Sequence, residues 1–138
     1  MKKFIVITTI QPPTEATIKF SKFTDWQLIV VGDKKTPHDL YKDINCIYLH
    51  PEEQERKYKK LSDSIGWNSI QRRNVGFVEA YKLGADVLAT VDDDNIPYDD
   101  WGKDVYVGQE IECDLYESEH GVFDPLSVTS RNEVWHRG

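Results

Sequence analysis

The stretch RRNVGFVEAYKLGADVLATVDDDN, residues 72–95, decides how the chain folds. Its first half carries Val75, Val78 and Tyr81 at helical spacing and closes on Gly84, a residue suited to the left-handed turn that ends a helix. Its second half, Asp86 to Val91, is a short apolar run that reads as a strand. Three carboxylates, Asp92, Asp93 and Asp94, follow at once. Like charges side by side repel, and none can be buried unpaired. The acidic run is therefore either a solvated turn or a site that something positive completes.

Three more strands are expected upstream: Phe4 to Ile10, Trp26 to Val31 and Cys46 to Leu49. They are nearly continuous apolar runs, the pattern of parallel strands buried on both faces. Between them, Thr14 can cap a helix with Glu15 in its first turn and Ile18, Phe20 and Phe23 on its apolar side. A helical turn is expected over Asp39 to Tyr41 and an exposed helix over Pro51 to Leu61. Ser62 to Trp67 reads as loop, and the decisive helix as Ser69 to Leu83. Strand–helix alternation predicts an α/β fold, a Rossmann-like, mostly parallel sheet flanked by helices. Strand-like stretches are expected between Asp104 and Leu115, and loops with one further strand after His120.

In open parallel sheets ligands bind outside the carboxyl ends of the strands. Those ends would carry Thr8 and Thr9, then Gly32 and Asp33, then Asp92 to Asp94. Three polar clusters would share one crevice. If the fourth strand continues extended, Asp92 and Asp94 point to one side and Asp93 to the other. Hard cations choose carboxylate oxygens, and Mg²⁺ commonly takes one or two carboxylates plus phosphate. Asp99 and Asp100 read as turn residues. Arg72 and Arg73 fall in the first turn of a helix, where the dipole disfavours cations; a bound anion would account for both. Gly76 costs about 1 kcal/mol against Ala in a helix interior, which a close approach to the sheet or a ligand would explain. Asp33 could accept hydrogen bonds from a base or ribose, whereas Lys34 and Lys35 read as turn residues.

The 138 residues suit one domain. The net charge is -7, which argues against a nucleic-acid binder or a basic membrane-surface protein. The first apolar run reaches Thr8 after four residues, too short for a signal peptide, and no segment approaches a membrane span. A cytoplasmic location is expected. Cys46 and Cys113 have no metal-ligand spacing; Cys46 reads as a small hydrophobe. His38, His50, His120 and His136 are scattered. No GxSxG, GxxxxGK[ST] or GxGxxG occurs, so hydrolase, P-loop and dinucleotide readings lack support.

Residues 72–95 resemble the segment of GT-A glycosyltransferases in which RN-x-G, a helix, a strand and DxD follow in order. VITTIQPPTEA (6–16) and WQLIVVGDKKTP (26–37), then RRNVG, VDDDN and a late FDP…W-x-RG, are similar to the STELLO family of glycosyltransferases, and more distantly to the plant reversibly glycosylated polypeptides. The resemblance implies a GT-A fold and a nucleotide-diphosphate sugar as donor, a UDP-sugar first among them, with Mn²⁺ or Mg²⁺ as cofactor and an unidentified acceptor. Asp94 would bind the metal, with Asp92 on the metal or the ribose. Thr8, Thr9, Asp33, Arg73, Asp92 and Asp93 would line the nucleotide-sugar site. Residues 1–101 would form the nucleotide-binding half and residues 102–138 a truncated or minimal acceptor-side part of a single domain. STELLO proteins are longer and membrane-anchored, and here the sequence stops at WHRG where the family pattern continues. No catalytic base is indicated; Asp124 reads as a loop acid. A nucleotide-sugar-binding module or degenerate transferase without turnover, a sugar mutase and a sugar-nucleotidyltransferase are the alternatives. The last needs a Gly-rich loop after the first strand, where this chain has QPPTEA.

Overall fold

The computed structural model describes residues 1–117, 119 and 121. Each of the four apolar runs forms a strand: β1 (Lys3–Thr9), β2 (Gln27–Gly32), β3 (Ile47–Leu49) and β4 (Val87–Thr90). They make one parallel sheet in the order β3-β2-β1-β4. Three helices, α1 (Glu15–Phe20), α2 (Pro51–Ile65) and α3 (Arg73–Lys82), and 3-10 turns over His38–Tyr41 and Ile70–Arg72 complete the described elements. The fold is the Rossmann-like α/β arrangement, a parallel sheet with helices on its faces. β1 first builds outward through β2 to β3, and the chain then returns to the other side of β1 to lay down β4.

Alternation along the strands divides the core into two layers. Phe4 and Val6 of β1 and Ile29 and Val31 of β2 pack with Leu49, Tyr58, Val75 and Ala80, on the side of α2 and α3. Ile5, Ile7, Leu28 and Val30 face the other way and pack with Ala16, Phe20, Trp26 and Tyr41. Each buried Val, Leu, Ile or Phe among them contributes on the order of 1.5–3 kcal/mol. Gly76 is explained by the sheet: a Cβ there would lie 2.5 Å from Val6 Cγ1 and 2.8 Å from Val31 Cγ2.

Helix ends follow local chemistry. Thr14 caps α1 by accepting the Thr17 N–H. Pro51 opens α2, and His50 Nδ1 accepts the Glu52 N–H. α3 ends in paired 3.0 Å bonds, Ala85 N–H to Ala80 O and Gly84 N–H to Tyr81 O, with Gly84 at φ 80°. α2 runs on to Ile65 through residues expected as loop. The expected strands between Asp104 and Leu115 do not form among the described residues. A strand needs a hydrogen-bonded neighbour, and this stretch lies exposed, Leu115 at 82%.

The chain divides into two compact units, Met1–Val105 and Tyr106–Gly138. The first holds every element named above. In the second, Tyr106 O accepts the Gln109 N–H at 3.0 Å, closing a turn around Gly108 at φ 74°. Asp124, His136 and the further strand expected after His120 lie outside the described residues. No described helix is long and apolar enough to cross a membrane.

Candidate functional site

A cleft of about 390 Å³ opens at the carboxyl ends of the strands. The carboxyl ends of the strands are where open α/β sheets hold ligands. Thr8, Thr9, Ile10 and Gln11 line it from β1, Asp33 and Lys35 from β2, Asp93 from β4, and Asn68, Ser69 and Ile70 from the approach to α3. Its volume falls in the range of small-molecule sites.

Thr9 joins β1 to the acidic turn. Its hydroxyl donates to the Asp93 carboxylate and accepts the Gln11 N–H at 2.9 Å. The Thr14 hydroxyl donates to the Asp93 carbonyl, so the residue that caps α1 also holds the turn. Thr8 Oγ1 donates to Val31 O at 3.3 Å, between β1 and β2. Asp33, only 2% exposed, accepts the Lys34 N–H at 2.6 Å and the Asn68 N–H at 2.8 Å. Asn68 stands at φ 55°, a left-handed conformation that Asn tolerates better than most residues. The Asp33 carboxylate thus fixes the loop before α3 to the end of β2.

The acidic run departs from the extended continuation expected of it. β4 ends at Thr90, and Asn95 N–H reaches back to Asp92 O at 3.4 Å, closing a turn. Strand alternation therefore stops before it can sort the three carboxylates. Asp93, expected to face away from its neighbours, is the one that lines the cleft. Asp92, 57% exposed, pairs instead with Arg73 Nη2 at 2.5 Å. Asp94 is exposed. Among the described residues no group of three or more His, Cys, Asp or Glu is arranged to hold a metal. The three adjacent carboxylates offer oxygen donors only, the ligand type that hard cations take.

The two arginines separate. Arg73 pairs with Asp92 of the acidic turn, with its Nε buried and without a hydrogen-bond partner. Arg72 is fully buried, and an anion at the helix start does not explain it. Its guanidinium donates to Gln54 Oε1, Ser62 and Gly66 O and stacks 3.8 Å from the Trp67 ring. Gln54 in turn donates at 2.6 Å to Gly32 O and Leu49 O at the ends of β2 and β3. Burial lowers the Arg72 pKa, with the nearby Asp33 charge opposing that shift.

Several lining residues were not legible in the sequence. Lys35 reads as a turn residue but reaches the cleft, while Lys34 lies 4.9 Å over Trp67. Asn68, Ser69 and Ile70 carry no motif of their own, and only the pairing of Asn68 with Asp33 brings them in. Tyr41 enters at second hand: its hydroxyl donates to Gln11 O at 2.8 Å, and burial raises its pKa to about 12.

No family model matches the chain. It is similar to two Arabidopsis thaliana proteins. One, named "Probable glycosyltransferase STELLO2", is 29% identical over 147 residues, covering 99% of this chain and 19% of that protein. The other, "Probable glycosyltransferase STELLO1", is 29% identical over 92 residues, covering 67% of this chain and 12% of that protein. The chain thus spans less than a fifth of the length of the curated relatives it matches.

Proposed function

We propose that the cleft binds the donor of a glycosyltransferase reaction, a nucleotide-diphosphate sugar, with a UDP-sugar as the first candidate. The observation that carries this reading is the Thr9–Asp93 bond, which draws the acidic turn onto a cleft lined from β1, β2 and β4. The similarity to proteins named as glycosyltransferases supports it. Thr8, Thr9 and Asp33 would line the nucleoside part. Arg73, Asp92 and Asp93 would meet the diphosphate end, where Asp94 and Asp92 would hold Mn²⁺ or Mg²⁺.

Charge makes the cation part of the argument. A diphosphate placed beside Asp92, Asp93 and Asp94 meets like charge, with Arg73 and Lys35 the nearby cations among the described residues. A divalent ion at the turn would reverse that repulsion and stabilise charge on the departing diphosphate. In the transfer, an acceptor hydroxyl oxygen bonds to the anomeric carbon. The bond from that carbon to the phosphate oxygen breaks, and the hydroxyl proton passes to a base or to solvent.

Binding without turnover is the second reading. Among the described residues lining the cleft, the two carboxylates, Asp33 and Asp93, both accept hydrogen bonds from the fold's own groups, a structural task that accounts for each without a catalytic one. Thermal-shift titration tests the common ground of both readings, because binding to the native state raises the melting temperature. UDP or GDP with Mn²⁺ is expected to raise it, and the double variant Asp92→Asn/Asp94→Asn to abolish the Mn²⁺-dependent part. No shift with any nucleotide, or an unchanged shift in the double variant, rejects the assignment. Release of free sugar from the donor separates turnover from binding.

A further inference from the structure

Thr36 has no part in the reading above, yet it joins the two walls of the cleft. It follows β2 in the sequence DKKTP and is 4% exposed. Its hydroxyl donates to Thr9 O at 2.7 Å and accepts the Asp33 N–H at 2.8 Å. Its own N–H closes a turn on Asp33 O at 3.0 Å. On one side Thr9 passes this hold to Asp93 and to the Gln11 N–H. On the other, Asp33 passes it to the Asn68 N–H. Asp93, Thr9, Thr36, Asp33 and Asn68 therefore form one unbroken succession, from the acidic turn after β4 to the loop before α3.

We propose that Thr36 is a positioning residue, which sets the spacing between the Thr9–Asp93 wall and the Asp33–Asn68 wall at which a nucleoside diphosphate is held. The proposal rests on the nucleotide reading of the cleft. The physical reason is the dual character of a hydroxyl, which donates and accepts at once. The buried Thr9 carbonyl and the buried Asp33 N–H each need a partner. One hydroxyl between them satisfies both and ties β1 to the end of β2 beyond their last paired residues, Thr9 and Gly32.

The test compares the wild type with Thr36→Val, which keeps the shape and loses the hydroxyl, and Thr36→Ser, which keeps the hydroxyl. Ala80→Gly, in the core layer under α3, serves as a variant weakened away from the cleft. Calorimetric titration with UDP and Mn²⁺ is expected to show Thr36→Val weaker by about tenfold or more, with Thr36→Ser and Ala80→Gly within about twofold of wild type. Amide exchange followed by NMR gives a readout that needs no ligand. The Gln11 and Asn68 N–H groups, bonded to Thr9 and Asp33 rather than to Thr36, should exchange faster in Thr36→Val than in Ala80→Gly and return to wild-type behaviour in Thr36→Ser. Exchange no faster in Thr36→Val than in Ala80→Gly, or a serine variant that behaves like the valine one, overturns the proposal. A wild type that binds none of UDP, GDP, ADP or CDP with Mn²⁺ overturns the nucleotide reading and the ligand half of this proposal. The exchange data then still decide whether Thr36 joins the walls.

Discussion

Gly76 faces the sheet where a methyl group has no room. Val6 and Val31, the side chains in its way, are fully buried on the two central strands. Gly76→Ala gains about 1 kcal/mol of helix propensity and loses about 1–3 kcal/mol to overpacking. Net destabilisation is expected, read as a lower urea midpoint, and a midpoint at or above wild type would show that the sheet yields. His38 gives a pH dependence. Its Nδ1 bonds the Tyr48 hydroxyl at 2.6 Å, and its ring meets that of His50 at 4.2 Å. Burial and then His50 hold its pKa below the ordinary 6.5, against weaker raising effects of Asp39 and Glu52. The unfolded chain therefore binds the proton more readily, and stability falls as pH drops through 6.5 towards the folded value. Melting curves between pH 7.5 and 5 should show a shallower decline in His38→Gln; an equal slope refutes the assignment. Of the residues lining the cleft, Thr8, Thr9, Asp33 and Asp93 were legible as polar groups because each follows an apolar run. Thr36 and Asn68 were not, because a lone polar residue in a loop has no period to betray it.

The segment after the acidic turn is bound at its far end by Trp101. Its ring lies 5.0 Å from Phe20, 5.8 Å from Phe23 and 5.1 Å from Trp26. Trp26 Nε1 donates to Gly102 O at 3.3 Å. Gly102 stands at φ 74°, and a Cβ there would come within 2.7 Å of Trp26 Nε1. Lys19 on α1 pairs with Asp99 at 3.1 Å. Residues 99–105 thus strap the α1 layer of the core after β4, and the acidic turn is fixed at both ends. Trp101→Ala is expected to cost about 2–4 kcal/mol and to weaken UDP–Mn²⁺ binding through the loosened turn. An unfolding free energy from urea titration within about 0.5 kcal/mol of wild type, the range of ordinary surface changes, would refute the strap. The strands and the decisive helix were legible from apolar runs and periodicity. The strap was not, because YDDWG reads as a polar loop until α1 supplies the aromatic surface that Trp101 covers.

Both core layers and the cleft fall within Met1–Val105. A chain ended at Val105 is expected to unfold in one cooperative transition with the melting temperature of the full chain and to keep any UDP–Mn²⁺ shift. A broad or strongly lowered transition would show that residues beyond Val105 support the core. The net charge of -7 says what the molecule avoids, not what it holds; ligand chemistry depends on a few local groups. The sequence by itself determined the parallel α/β architecture, since apolar runs buried on both faces and separated by helices have few other ways to exclude water. It also determined that polar clusters stand at the carboxyl ends of three strands. Only the tertiary structure decided which of those groups face one another. It turned Asp93 rather than its neighbours into the cleft, set Arg73 on Asp92, buried Arg72 among α2 and Trp67, and placed Thr36 between the walls. Those choices depend on where β4 stops pairing and how loops meet across the sheet, contacts between residues tens of positions apart that no local pattern encodes.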